Sequence, residues 1–320
     1  MKRALAACAA ALALLGAAGC GTGENATDAD AGRSADGGAG GIRVPLQAAN
    51  GPIAPPPATS PLTLALTGAP DIVQIRFGHQ PRAGLLFDLD TGQVLWRRNP
   101  TRILPIASVT KIMTALVVAD RVPEGAKVRV TREALAYQGS GVGVLPKNKW
   151  VGVSAMLYGL LLPSGNDAAI ALAQRTGKTV PKFVAMMNAR ATAMGLTCTR
   201  YSTPSGFTDR GNHSCAADLA VQARALLDEP RLAKIVARRE AILPFPIKGG
   251  RLYLSNHNPL LRQRYPGTLG IKTGFTDAAG RCLVAAVKRN GRRLGVVLLH
   301  SPDPGGQAEK LFDRGFRALA

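Results

Sequence analysis

A hydroxyl and an amine set one helical turn apart can act together as nucleophile and base, and Ser108 and Lys111 have that spacing. A serine hydroxyl attacks poorly at neutral pH unless a base lies within hydrogen-bond reach. A lysine becomes that base once burial or a cationic neighbour lowers its proton affinity. The pair opens the apolar run Ile112-Met113-Thr114-Ala115-Leu116-Val117-Val118-Ala119, and Pro105 stands just ahead as a helix-start signal. Alone the pattern is weak, because a capping serine beside a solvated lysine has the same letters. Two more polar clusters follow in order. Ser164-Gly165-Asn166 is either an ordinary loop or a hydroxyl and an amide aimed into a cleft. Lys272-Thr273-Gly274-Phe275 puts a cation, a hydroxyl and a position without a side chain in a strand-like context.

The elements that must hold these groups have clear patterns. Ala83 to Asp90 predicts a strand, Thr91-Gly92 a turn, and Gln93 to Arg97 a second strand, so the pair is a hairpin. The helix beginning at Ser108 is apolar nearly all round, as for a buried central helix. Gly139-Ser140-Gly141-Val142-Gly143 is a flexible loop. Val153 to Leu162 predicts a helix that stops at Pro163, and Asp167 to Arg175 starts another. Pro181 to Met194 and Ala216 to Leu227 are further helices, with loop-rich chain from Gly195 to His213, and Glu240 to Ile247 is a short edge strand. Thr268 to Phe275, Cys282 to Lys288 and Leu294 to Leu299 are strands, the last two joined by Asn290-Gly291, a strong hairpin signal. Gln307 to Leu319 closes the chain as an amphipathic helix. The expected fold is α/β, with an antiparallel sheet built from both ends of the chain and a helical insert between.

The chain has 320 residues, of which 46% are hydrophobic and 19% charged, enough for one sizeable core. Its formal net charge is +20. Nucleic acid ranks low as the partner, because the basic residues are scattered and the chain has an export signal. Anionic wall polymers or lipid headgroups suit a cationic exported protein better. Lys2 and Arg3 supply the positive start, and Ala4 to Ala18 is apolar but short for a membrane span. Leu15-Gly16-Ala17-Ala18-Gly19-Cys20 is similar to a bacterial lipoprotein signal, although Ala17 stands where leucine is usual. Residues 1–19 are then the signal, and Cys20 is the lipidated mature N-terminus. Ordinary cleavage to a freely secreted protein is the alternative. Residues 20–73 are assigned to a Gly/Ala/Pro-rich disordered tether, with the more apolar stretch 61–75 left unplaced, and residues 74–320 to the catalytic domain. Cys198 and Cys215 form a possible disulfide closing a short loop in an exported protein, and Cys282 is a small buried hydrophobe.

Ala107-Ser108-Val109-Thr110-Lys111, Leu162-Pro163-Ser164-Gly165-Asn166-Asp167, Pro204-Ser205-Gly206-Phe207 and Gly270-Ile271-Lys272-Thr273-Gly274-Phe275-Thr276-Asp277 together resemble the D-alanyl-D-alanine carboxypeptidases, which are low-molecular-mass penicillin-binding proteins. The similarity runs over roughly residues 75 to 317. It implies the penicillin-recognising, β-lactamase-like fold: an antiparallel sheet flanked by helices plus a helical subdomain. By this resemblance Ser108 is the nucleophile, Lys111 takes its proton, and Ser164 relays a proton to the leaving D-alanine. Asn166 binds the substrate backbone, and Lys272 and Thr273 hold the terminal carboxylate. Gly274 admits the substrate strand, and the backbone N–H groups of Ser108 and Phe275 form the oxyanion hole. Peptidoglycan stem peptides are the implied substrate and β-lactam antibiotics the acylating inhibitors, with no metal or cofactor. Many relatives carry a second C-terminal domain; none is expected here, so attachment to the outer face of the plasma membrane falls to Cys20. Some relatives have an arginine where this chain has His257, which is expected to be structural.

Three rivals share the nucleophile. A class A β-lactamase needs a deacylating glutamate, and none lies between Glu133 and Glu229. A DD-endopeptidase or transpeptidase would use the same acyl-enzyme. A catalytically inactive wall-binding lipoprotein would have no reason to retain Ser108, Lys111, Ser164 and Lys272.

Overall fold

The computed structural model describes residues 62–320, except 69 and 208–210. The expected signal, Cys20 and the tether as far as residue 61 lie outside the described residues. Strands β1 (Ala83–Asp88) and β2 (Val94–Arg98) lead, through a two-residue strand β3 (Leu104–Pro105) and a 3-10 turn (Ala107–Thr110), into helix α1 (Lys111–Arg121). A helical subdomain follows. It comprises β4 (Lys127–Arg129), α2 (Arg132–Leu135), β5 (Trp150–Gly152), α3 (Val153–Leu161), α4 (Asn166–Gly177) and α5 (Val180–Ala193). Then come β6 (His213–Ser214), α6 (Ala216–Asp228), α7 (Pro230–Val236), β7 (Glu240–Pro244), β8 (Arg251–Ser255) and α8 (Pro259–Arg262). Strands β9 (Thr268–Thr276), β10 (Gly280–Arg289) and β11 (Arg292–Ser301) and helix α9 (Pro304–Ala318) complete the chain.

The main sheet has the order β2-β1-β11-β10-β9, antiparallel at every junction. Both of its faces are covered, which is why β10 and β11 are continuous apolar runs in the sequence. Alternate residues face opposite ways. Leu86, Leu283, Ala285 and Val296 meet Leu311 and Phe312 of α9 on one face. Leu85, Phe87, Val284 and Val297 meet the larger core containing α1 and α6 on the other. Helix α1 is buried from Lys111 to Val118, as expected of a central helix. Asn290 and Gly291, both at positive φ, make the tight turn between β10 and β11.

Three sequence expectations change. The ordered domain begins before residue 74: Leu62 is buried, Ala65 N–H donates to Gly92, and Val73 N–H donates to Leu95. Asp71 also accepts from both the backbone N–H and the guanidinium of Arg97. The stretch 62–73 thus packs along the β1–β2 hairpin instead of belonging to the tether, because its few large apolar side chains find a surface there. The second change is that Ser108 lies in a 3-10 turn, and the α-helix starts at Lys111. Finally, α7 and the β7–β8 hairpin replace the single short strand expected after Leu227.

Cys198 and Cys215 are joined as a disulfide, with Cα atoms 5.6 Å apart. In the chain-entropy account a loop of this size stabilises the fold by about 3 kcal/mol. The bond anchors the segment that runs on to Phe207. Cys282 is buried and free, as expected.

Candidate active site

Three elements converge on Lys111. The 3-10 turn presents Ser108, with Ala107 held at φ 48° immediately before it. The start of α4 presents Asn166, and the segment after the disulfide presents the carbonyl of Ser205. Lys111 Nζ lies 2.9 Å from Ser108 Oγ, 2.7 Å from Asn166 Oδ1 and 2.8 Å from Ser205 O. The side chain is fully buried. Burial drives its pKa well below the ordinary lysine value, the positive charge of Lys272 pushes the same way, and Asp167 opposes both. A neutral amine has two N–H groups and one lone pair. Asn166 Oδ1 and Ser205 O can only accept, so they take the two hydrogens and turn the lone pair toward the Ser108 hydroxyl. That is the orientation a general base requires.

Ser164 comes two residues before Asn166, at φ 67°, in the left-handed region that costs a non-glycine residue about 1 kcal/mol or more. Its hydroxyl is buried and has no hydrogen-bond partner among the described residues. A strained backbone that buries an unpaired hydroxyl is unfavourable for the fold alone, and it leaves that oxygen ready for an incoming group.

Strand β9 forms the opposite wall. Lys272 is buried, with its Nζ donating to the carbonyl of Thr273, and burial brings its pKa down to about 7. A Cβ on Gly274 would stand 2.8 Å from Ile106 O and 3.1 Å from Ser108 N. The missing side chain is therefore what lets β9 lie against the turn that carries Ser108. The Phe275 side chain is 63% exposed. His257 is exposed to solvent, and partial desolvation first, then the charges of Lys272 and Arg262, lower its pKa.

Two contributors escaped the sequence reading. The carbonyl of Ser205 is one; Gly206 beside it, at φ 75°, would place a Cβ 2.0 Å from Ala107 O, so glycine there lets the segment close onto the 3-10 turn that carries Ser108. Asp167 is the other. Its carboxylate accepts from the N–H groups of Val142, Gly143 and Ala168. Asn166 joins the same loop, through Nδ2 to Gln138 O and through its N–H to Ser140 O. The Asn166 amide, expected on the substrate backbone, here holds Lys111.

The profile of the D-alanyl-D-alanine carboxypeptidases, peptidase family S11, matches residues 74–303. The chain belongs to this family. It is 39% identical over 240 residues to D-alanyl-D-alanine carboxypeptidase DacB2 of Mycobacterium tuberculosis, covering 72% of this chain and 81% of that one. It is 33% identical over 246 residues to D-alanyl-D-alanine carboxypeptidase DacF of Bacillus subtilis, covering 74% of this chain but spanning only 62% of that relative. A crystal structure of a Mycobacterium tuberculosis D-alanyl-D-alanine carboxypeptidase superposes with a TM-score of 0.71 at 36% identity, covering 77% of this chain and 94% of that one. A variant of the Streptomyces K15 DD-transpeptidase does so with a TM-score of 0.71 at 30% identity, covering 76% and 100%. The fold is thus that of the penicillin-binding DD-peptidases, as the motifs implied.

In this S11 member the tight contact at Gly274 makes a clear prediction. Gly274→Ala will displace β9 from the 3-10 turn, because the atoms it meets are backbone and cannot swing away. Acylation by benzylpenicillin, followed by intact mass, should slow about 100-fold. Wild-type rates in this variant would show that the approach of β9 is not what aligns the nucleophile.

Proposed function

We propose that the chain is a serine D-alanyl-D-alanine carboxypeptidase, removing the terminal D-alanine of peptidoglycan stem pentapeptides through an acyl-enzyme on Ser108. The observation that carries this reading is the buried, proton-poor Lys111 amine 2.9 Å from Ser108 Oγ. Lys111 Nζ takes the hydroxyl proton as Ser108 Oγ bonds to the carbonyl carbon of the penultimate D-alanine. The oxyanion is met by the N–H groups of Ser108 and Phe275. The C–N bond then breaks, and the proton passes from Lys111 by way of Ser164 to the departing amine. Water cleaves the ester, with the same base activating it. Lys272 and Thr273 hold the substrate's terminal carboxylate, and β-lactams acylate Ser108 in the same way.

Brief exposure to benzylpenicillin should leave a slowly lost adduct on wild type and none on Ser108→Ala, and a pentapeptide should release D-alanine. Failure to form the adduct on folded wild type would sink the reading. The likeness to a DD-transpeptidase adds a second measurement: if an added amino acceptor captures the acyl group in preference to water, the chain is a transpeptidase using the same residues.

Ser164→Ala should separate chemistry from stability. Removing an unpaired buried hydroxyl should leave stability unchanged or raise it by about 1 kcal/mol, while D-alanine release falls about 100-fold. A variant that melts early and keeps its turnover would contradict the relay role.

Lys272 sets the pH response. It is cationic below about 7 and neutral above in the free enzyme. The kcat/KM for pentapeptide should therefore fall as pH rises through about 7, since the carboxylate loses its countercharge. Bound carboxylate raises the lysine pKa, so the fall in kcat should come later. Lys272→Arg keeps its proton throughout and should abolish the falling limb. A falling limb that is unchanged in this variant would assign it to another group.

A lipid on Cys20 would hold the domain on the outer face of the plasma membrane. The basic start, the apolar run and the small residues before Cys20 support this placement. The mass of the processed N-terminus, diacylated or bare, tests it.

A further inference from the structure

The far end of α4 carries a feature that the proposed reaction does not use. The β4–β5 hairpin and the C-terminal turn of α4 enclose an open groove of about 510 Å³, lined by Lys127, Arg129, Trp150, Arg175 and Lys178. Helix α4 spans 12 residues from Asn166, so the groove lies about 17 Å along the helix from the catalytic residues. Along each strand the residues alternate. Val128 and Val151 are buried, while Lys127, Arg129 and Trp150 point outward. Arg129 is directly opposite Trp150, and Lys127 is opposite Gly152.

Three observations mark this groove as a binding surface. The indole of Trp150 is 58% exposed, unusual for so large a ring, whereas the chain's other tryptophan, Trp96, is buried. Among the described residues none of the four cations forms an ion pair. Arg175 is fixed in place by its Nε–H donating to the carbonyl of Lys127, which turns the rest of the guanidinium outward. Finally, a Cβ on Gly152 would meet nothing within 4 Å, so the space beside the indole is vacant. Gln174, which also lines the groove, donates from Nε2 to Glu133.

We propose that this groove binds an anionic glycan, with one sugar ring lying on Trp150 beside Gly152 and its phosphate or carboxylate groups on Lys127, Arg129, Arg175 and Lys178. A flat apolar ring flanked by cations matches the two faces of such a chain: C–H bonds of the sugar against the indole, charged substituents against ammonium and guanidinium groups. A single-stranded nucleic acid would want successive aromatic platforms, and the groove has one. A lipid surface would want a convex apolar patch, and this site is concave and charged. The assignment stands on the groove alone and is independent of the catalytic reading.

The test titrates the full chain with poly(glycerol phosphate) and with polygalacturonate, following Trp150 fluorescence and calorimetry. Neutral dextran, a single-stranded oligonucleotide and phosphatidylglycerol vesicles serve as comparisons. Either or both anionic glycans should bind and dextran should not, and the two glycans separate phosphate from carboxylate recognition. Arg129→Glu with Lys178→Glu should weaken binding at least about tenfold, and Trp150→Leu several-fold. Gly152→Asp is the decisive variant. Gly152 precedes α3 at φ −65°, so aspartate fits, can cap the helix and leaves the melting temperature unchanged or higher, yet it puts a negative charge in the groove. It should also weaken glycan binding about tenfold while benzylpenicillin acylation persists. Unchanged affinity in Gly152→Asp and Arg129→Glu would overturn the proposal and leave the overall charge of +20 as the cause of any binding. Equal or tighter binding of the oligonucleotide or the vesicles, lost in the same variants, would overturn it in favour of that partner.

Discussion

Lys111→Met will leave a folded domain that benzylpenicillin acylates about a thousandfold more slowly or worse, a loss at the upper range of general-base effects. Methionine has a similar length, and the site is fully buried, so the packing survives. The acceptors Asn166 Oδ1 and Ser205 O lose their donor, which costs about 1–3 kcal/mol each. That loss is offset in part because a desolvated amine is itself removed. Lys111→Arg gives the complementary test. A guanidinium can donate to both acceptors but does not surrender its proton, so acylation should fail although every hydrogen-bond donor is present. The pair separates base chemistry from scaffolding. If arginine restored acylation to within tenfold of wild type, Lys111 would be a positioning residue and another group would be the base. The readout is the rate of adduct formation by intact mass, with circular dichroism as the check on folding.

Asp167→Ala will lower both stability and acylation, through a residue that never meets substrate. Its carboxylate accepts backbone hydrogen bonds of 2.9 Å from Val142, 3.0 Å from Gly143 and 2.8 Å from Ala168. Alanine leaves these buried donors without partners and removes a negative charge from the first turn of α4, where the helix dipole favours one. A loss of about 3 kcal/mol follows, or roughly 6–12 °C in melting temperature for a domain of this size. The loop 138–143 then keeps the packing of Val142 and its hydrogen bonds to Asn166, whose amide must also fix Lys111. Acylation should slow about tenfold or more, and because the charge of Asp167 raises the Lys111 pKa, its loss should also move the Lys111 limb of the pH profile to lower pH. A pH profile that shifts with no loss of the maximal rate would show that the charge of Asp167, not its hold on the loop, is what acylation needs. Asp167→Asn, which keeps one accepting oxygen, should fall between alanine and wild type.

Much of this site is written in side-chain letters, and those parts were legible. Ser108, Lys111, Ser164, Asn166, Lys272 and Gly274 declare themselves by type and order, and the structure gathers the first two with Asn166 within 3 Å of one nitrogen. The sheet was legible for a related reason: β10 and β11 are covered on both faces and so appear as unbroken apolar runs. The contributions that were missed have no such signature. Any residue could supply the Ser205 carbonyl, and only the demand for glycine at 206 hints at it. Asp167 has the letters of an ordinary acid in the first turn of a helix, and its two distant N–H partners, Val142 and Gly143, lie in a loop whose path no periodicity encodes. The stretch 61–75 stood out as more apolar than the tether, but nothing in its pattern said where it packs, because its seat on the β1–β2 hairpin is made by Leu62, by backbone N–H groups and by the Asp71–Arg97 contact. The 3-10 geometry at Ser108 follows from Ala107 at φ 48° and from the approach of β9, both of them tertiary effects.

The pairing of β1 with β11 also governs the order in which this molecule can come into being. Ala83 finds its partner Leu299 only when nearly the whole polypeptide is available, so the sheet has high contact order and closes late. Ser108 and Lys111 leave the ribosome, and any export channel, long before Lys272 and Gly274. Without β9 no strand lies against the turn that carries Ser108, and Lys111 lacks the neighbour that helps to keep it uncharged. The emerging N-terminal half is therefore chemically silent, and reactivity switches on only when the last three strands dock. The disulfide between Cys198 and Cys215 is local in sequence and can form before that step, so a chain truncated before β9 should already carry it while remaining blind to penicillin.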